Sequence, residues 1–212
     1  TSQKGRAVYQ ITVSGEPAHS SRPDKGINAA MLAQPVINKL ADYDDQIRQS
    51  NHNLVGKGYA TVTGIEAGTK ENIIPESAII TIDRRFLPSE SIEKVDNEIN
   101  EITKSARKDL NTSVSWKRTV TYRSAEVSSD SEVAKIFRNH SYEMASVPNE
   151  AYGIQASTDV RNLINFSDIE AITWGPGDLD QAHSYNESID LDNIMIGYDI
   201  LENSLIDILD SL

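Results

Sequence analysis

Between Ser89 and Leu110 the chain reads SESIEKVDNEINEITKSARKDL. Ile92, Val95, Ile99, Ile102, Ala106 and Leu110 recur there every three or four positions, the apolar stripe of a helix whose other faces are charged. Ser89, following Pro88, is the expected N-cap, with Glu90 in the first turn where its charge suits the helix dipole. Working outward, Val114, Trp116 and Val120 alternate with polar residues as a strand downstream. Upstream lie two strand-like runs, Ala60–Ile65 and Ala78–Phe86, separated by a loop bearing Gly and Pro. Leu32, Val36, Leu40, Tyr43 and Ile47 mark an earlier helix, and Tyr9, Ile11 and Val13 a first strand. Pro35 falls inside that earlier stripe and is expected to bend the helix or delay its start, because it lacks an amide donor. The order strand, helix, strand, strand, helix, strand is the βαββαβ, ferredoxin-like arrangement, in which both helices cover one face of an antiparallel sheet.

Residues 1–122 therefore read as one complete domain, and the polar stretch Arg123–Asp130 as a boundary. Residues 123–212 carry a helix near Ser131–Ala145, a short strand near Tyr152–Gln155 and a helix near Thr158–Asn165. A buried strand is expected at Ile169–Trp174, then a closing helix with Ile194, Tyr198, Leu201, Leu205 and Ile208. Two short strands cannot shield three helices, so this α/β segment reads as part of a domain.

Composition narrows the function. The formal net charge is −12, which disfavours nucleic acid as a partner. No apolar run reaches the roughly 20 residues that span a bilayer, and the first residues lack a signal-peptide stretch. The chain has no cysteine, so any metal would be held by histidine and carboxylate, and a cytoplasmic home is expected.

His183 follows the Ile169–Trp174 run in a loop beginning Gly175-Pro176-Gly177. It reads either as a loop histidine bonded to neighbours or as a metal ligand beyond a strand's carboxyl end. His19 lies in the polar turn after the first strand and, by itself, reads as an exposed turn residue. His52 and His140 have no constellation around them. Asn72-Ile73-Ile74-Pro75 precedes the strand ending in Asp83-Arg84-Arg85, and an amide and a guanidinium there suit a substrate carbonyl or carboxylate. Ser157-Thr158-Asp159-Val160-Arg161 reads as a capped helix start that also offers Arg161 either for carboxylate capture or for a structural salt bridge.

Three segments resemble the zinc-dependent family of acetylornithine deacetylase, succinyl-diaminopimelate desuccinylase, aminoacylase and related metallo-carboxypeptidases. They are Gly15-x-x-Ala18-His19-Ser20-Ser21-x-Pro23-x-x-Gly26-x-Asn28-Ala29, then Asn72-Ile73-Ile74-Pro75 with Asp83-x-Arg85, then Gly175-Pro176-Gly177 through Ala182-His183 and Glu187. The resemblance implies a dimerisation lid followed by the C-terminal part of the catalytic domain. It implies that His183 binds one of two zinc ions, with cobalt or manganese as substitutes. It implies that His19 stabilises an oxyanion in the partner subunit's site, that Asn72 lies near substrate, and that Arg161, with Arg85 as the alternative, holds a substrate carboxylate. The implied substrate is an N-acyl amino acid or small peptide, cleaved at its amide by metal-activated water in a homodimer. The family's early His-x-Asp motif and Glu-Glu pair do not occur in these residues. The chain is thus expected to be a fragment that binds no zinc and is inactive alone. A non-catalytic dimerisation module is the second reading, and a ferredoxin-like small-molecule-binding domain ranks below both.

Overall fold

The computed structural model describes residues 1–167, 169–182 and 184–211. By its internal contacts the chain forms two compact units, Gln3–Ser124 with Ile154–Ser157, and Thr1–Ser2 with Ala125–Gly153 and Thr158–Leu212.

The first unit runs β1 (Gly5–Ser14), α1 (Ala29–Ile47), β2 (Tyr59–Ala67), β3 (Ser77–Phe86), α2 (Ile92–Leu110) and β4 (Val114–Tyr122). Its sheet has the order β2-β3-β1-β4, with every neighbouring pair antiparallel. This is the ferredoxin-like arrangement. β1 and β3 are central and alternate buried with half-buried residues, as period-2 patterning demands. Ala7, Tyr9, Ile11 and Val13 of β1 and Ala78, Ile80, Ile82 and Phe86 of β3 form the floor of the core. α1 covers it with Ala33, Val36, Leu40 and Tyr43, and α2 with Val95, Ile99 and Ala106. Burying each large aliphatic side chain contributes about 1.5–3 kcal/mol. In the segment Ile154–Ser157, Gln155 Nε2 donates to the Val55 carbonyl and Ser157 Oγ to that of Lys4.

Two local expectations are corrected. The N-cap of α2 is Ser91, not Ser89: its Oγ accepts from the Lys94 amide at 3.1 Å, and Glu93 occupies the first turn. Glu90 is drawn elsewhere, taking the Leu87 amide at 2.8 Å and the Arg84 guanidinium at 2.6 Å. Ser91→Ala is expected to lower stability by about 1 kcal/mol in urea unfolding, with Ser89→Ala within about 0.5 kcal/mol of the native chain. Of the two outcomes expected of Pro35, a bend or a later start, the later start does not occur: α1 begins at Ala29 and carries Pro35 inside it. Asn28 explains this early start, since its Oδ1 accepts from the amides of Ala30 and Met31 before Pro35 is reached.

Arg84 is wholly enclosed beneath α1 and α2. Its Nε donates to the Tyr43 hydroxyl at 2.8 Å, its Nη1 to the Arg85 carbonyl, and its Nη2 to Glu90. Tyr43 in turn donates to Glu98 at 2.6 Å. Burial is the largest influence on the Tyr43 phenol and pushes it well above its ordinary range, so it stays a donor.

In the second unit α3 (Glu132–Ala145) and α5 (Leu191–Asp210) pack together, with the shorter α4 (Val160–Ser167) beside them in sequence. α3 buries Ala134, Phe137 and Ser141, and α5 buries Gly197, Ile200 and Ser204. Tyr198, Leu201 and Leu205, from the apolar stripe read in the sequence, are exposed instead. The expected buried strand at Ile169–Trp174 does not form: the segment is irregular, and Ile169 is half exposed. No strand among the described residues pairs with it, and without a ladder an apolar run has no reason to hold strand geometry. Trp174 is instead anchored on α3, donating to Ser141 Oγ at 3.1 Å and tilting against Phe137.

Candidate functional site

The Gly15–Asn28 loop leaves β1, and the Gly68–Glu76 loop enters β3, at the same end of the sheet, where Ser14 faces Ser77. Backbone bonds knit the two loops. The Gly15 amide donates to the Glu76 carbonyl, Ile74 to Ala18, Ser20 to Asn72, and Ala29 to Pro75, all at 2.8–3.0 Å. His19 and Ile73 form an antiparallel bridge. The motif around His19 is mostly structural. Pro23 opens a short 3-10 turn, Asn28 caps α1, and Ala29 is fully buried. A Cβ on Gly26 would lie 2.8 Å from Ala18 Cβ, and one on Gly15 would lie 2.2 Å from the Ile27 carbonyl oxygen. Gly15→Ala must therefore shift backbone, and a loss of about 1–3 kcal/mol is expected in thermal unfolding.

This scaffold leaves His19 and Asn72 both exposed on adjoining loops, with His19 paired to Ile73 and the Asn72 carbonyl taking the Ser20 amide. His19 Nδ1 lies 2.8 Å from Ser21 Oγ and accepts the Ser21 amide at 3.2 Å. A backbone amide can only donate, so Nδ1 accepts and the neutral ring carries its proton on Nε2. Neither Nε2 nor the Asn72 side-chain amide has a hydrogen bond among the described residues. Exposed Ile27, Met31 and Ile73 belong to the same loops and the first turn of α1. The end of the sheet thus presents an N–H donor and a primary amide, groups that suit a carbonyl or oxyanion. Ser21 was not singled out in the sequence; a serine two residues after a turn histidine is the signal for it.

Arg85 sits on the uncovered face at the far end of β3, about 27 Å along the strand from Ser77 at strand rise. It donates from Nε to Asp83 at 2.7 Å, and Asp83 also receives Arg6 at 2.7 Å. In the second unit Arg161 opens α4; its Nη1 donates to the Thr158 carbonyl at 2.7 Å and its Nη2 lies 3.2 Å from Asp159. His140 pairs with Asp207 at 2.8 Å, and His52 accepts two amides of its own hairpin. His183 lies outside the described residues. Among the described residues no three His, Cys, Asp or Glu side chains converge as a metal site, so they do not by themselves fit the zinc centre. No helix among them is long and apolar enough to cross a membrane.

Comparison with known proteins extends this picture. The chain is 25% identical over 207 residues to a putative succinyl-diaminopimelate desuccinylase of Mycobacterium tuberculosis, covering 95% of this chain and 53% of that protein. It is 23% identical over 196 residues to an acetylornithine deacetylase of Myxococcus xanthus, covering 91% of this chain and 50% of the other. It spans about half the length of the curated relatives it matches. In fold it resembles the di-peptidase Dug1p of Saccharomyces cerevisiae with a TM-score of 0.75 at 14% identity, over 96% of this chain and 54% of that one. A family model described as a peptidase dimerisation domain matches residues 1–110, which hold the His19 and Asn72 loops together with β1 to α2. By that match the chain belongs to the peptidase dimerisation-domain family.

Proposed function

We propose that this chain is the dimerisation lid and the C-terminal catalytic segment of a metal-dependent hydrolase. Its substrates would be N-acyl amino acids or small peptides, cleaved at the amide bond in the cytoplasm. The observation that carries the reading is the pairing of the His19 turn with the Asn72 loop, two loops on which the imidazole Nε2 and the Asn72 amide are exposed and without a hydrogen bond among the described residues. His19 would donate to the oxyanion in a partner subunit's site, and Asn72 would contact the substrate beside it. By the same reading Arg161 takes the substrate carboxylate and His183 is one ligand of a zinc pair. Arg85, engaged by Asp83 at the far end of β3, is the weaker candidate for the carboxylate. The relatives' names support the substrate class, one naming removal of a succinyl group and the other of an acetyl group.

The test is the coding sequence upstream of Thr1. An in-frame His-x-Asp and Glu-Glu pair, with hydrolysis of N-acetyl- or N-succinyl-amino acids by the encoded protein that chelation abolishes, supports the reading. A frame with neither motif overturns it. The 212-residue chain alone is expected to show no hydrolysis of those substrates with added zinc, and metal-dependent turnover by it would refute that. The family match favours one second reading, a dimerisation module without catalysis. Sedimentation would then show a dimer, while no encoded partner segment would confer activity.

A further inference from the structure

We infer that Arg6 and Arg85 form a two-guanidinium clamp for a small dianion on the uncovered face of the sheet. Phosphate and the dicarboxylates share that chemistry. Arg6 Nε donates to Asp83 Oδ2 and Arg85 Nε to Asp83 Oδ1, each at 2.7 Å, so one carboxylate holds both side chains. The register sets Arg6 directly opposite Arg85 on β1 and β3, and residues so paired leave the same face of a sheet. Asp83 takes only the Nε of each. Among the described residues the Nη nitrogens of both arginines have no hydrogen bond, and the two side chains are 34% and 32% exposed. A guanidinium presents its donors as a rigid fork that grips paired oxygens, and the outer edge of each fork remains for a ligand.

The charges around this pair do not balance. Lys4 lies two residues before Arg6 and is 1% exposed, yet it makes no ion pair among the described residues. Its Nζ rests 4.7 Å over the ring of Tyr59, the cross-strand partner of Arg85. Burial first, and the Arg85 charge second, hold the Lys4 ammonium below its ordinary range. Within ion-pair reach, three cations share the one carboxylate of Asp83, in a chain whose net charge is −12. One arginine would suffice to pair Asp83, and the second adds a repulsion that a bound anion relieves. A dianion neutralises the surplus, whereas a monoanion leaves part of it. Lys4 is enclosed and acts through its charge; Arg6 and Arg85 make the contacts. The clamp goes beyond the hydrolase reading and is a property of this chain with or without catalysis.

The test is an NMR titration of the nitrogen-15-labelled 212-residue chain with inorganic phosphate, succinate and acetate. Sodium chloride holds ionic strength constant, and the pH is mildly alkaline so that phosphate is a dianion. Arginine Nε–H signals are assigned through Arg6→Gln and Arg85→Gln. Phosphate, succinate or both are expected to shift the Arg6 and Arg85 signals saturably with a Kd of about 1 mM. Acetate should bind at least about tenfold more weakly. Each glutamine variant should weaken the dianion by about tenfold or more, the loss of a charge-assisted hydrogen bond. Lys117→Gln removes an exposed cation from β4 opposite Gln10 and should change Kd by less than about twofold, because its charge is screened. The tighter of the two dianions identifies the ligand as phosphate-like or dicarboxylate. An unsaturated response to both, acetate binding as tightly as either, or Lys117→Gln weakening as much as Arg6→Gln would overturn the inference. An unchanged amide spectrum away from β1 and β3 shows that each variant is folded. Binding is read without turnover, so failure of the hydrolase reading leaves the clamp standing.

Discussion

Arg84→Met is expected to destabilise the chain by about 3–5 kcal/mol in urea unfolding, because it strands charge and hydroxyl partners in the interior. The guanidinium has no exposed surface, and its three nitrogens are used on Tyr43, Arg85 and Glu90. Methionine fills much of the volume but leaves the Glu90 carboxylate with the Leu87 amide at 2.8 Å and the Lys94 ammonium only at 3.9 Å. The Coulomb attraction of such a pair merely offsets its desolvation, so the loss comes from breaking it, not from having had it. Arg84→Met with Glu90→Leu should accordingly recover part of the stability, and a double-mutant cycle reads the coupling directly. A loss below about 1 kcal/mol for the single change would contradict the network's role.

The second large effect concerns catalysis in the proposed full-length hydrolase. His19→Ala is expected to lower kcat by about 10²–10³-fold, the usual cost of one oxyanion donor, with little change in KM. Stability should stay within about 0.5 kcal/mol, since the side chain is exposed. Donation across the dimer makes a sharper demand. A His19→Ala subunit co-expressed with a His183→Ala subunit should regain activity, because in the mixed dimer one metal site meets an intact histidine from its neighbour. If His19 served its own subunit, the mixed dimer would stay as inactive as either parent.

The elements that the chain announces most clearly are those whose stability is local. The stripe from Ile92 to Leu110 and the alternation at Tyr9, Ile11 and Val13 appear in the structure with nearly the expected bounds. Misreadings arose where a distant partner decided the outcome. Ser89 and Ser91 are equivalent candidates by composition, and the capture of Glu90 by Arg84 leaves Ser91 to cap. The run Ile169–Trp174 has a strand's composition, but periodicity carries no information about a neighbouring strand to pair with. At the site, His19 and Asn72 were legible as motif residues. Their adjacency was not, because it depends on β1 and β3 being antiparallel neighbours in the register that sets Ser14 against Ser77. Ser21 was hidden for a plainer reason: which ring nitrogen a serine approaches is a matter of turn geometry.

The stitching of the His19 turn to the Asn72 loop also bears on when the turn can exist during folding. Among the described residues the backbone bonds that tie it to another loop come from residues 72–76, and α1 and β2 intervene in the chain. The closure entropy of that long segment must be overcome first, and β1–β3 zippering accomplishes it only as the sheet condenses. A nascent or partly unfolded chain would carry the histidine but not the presented N–H. The donor geometry is thus a late, long-range property, and protection of the Ile74 amide in hydrogen exchange should rise in step with the central strands rather than with either helix.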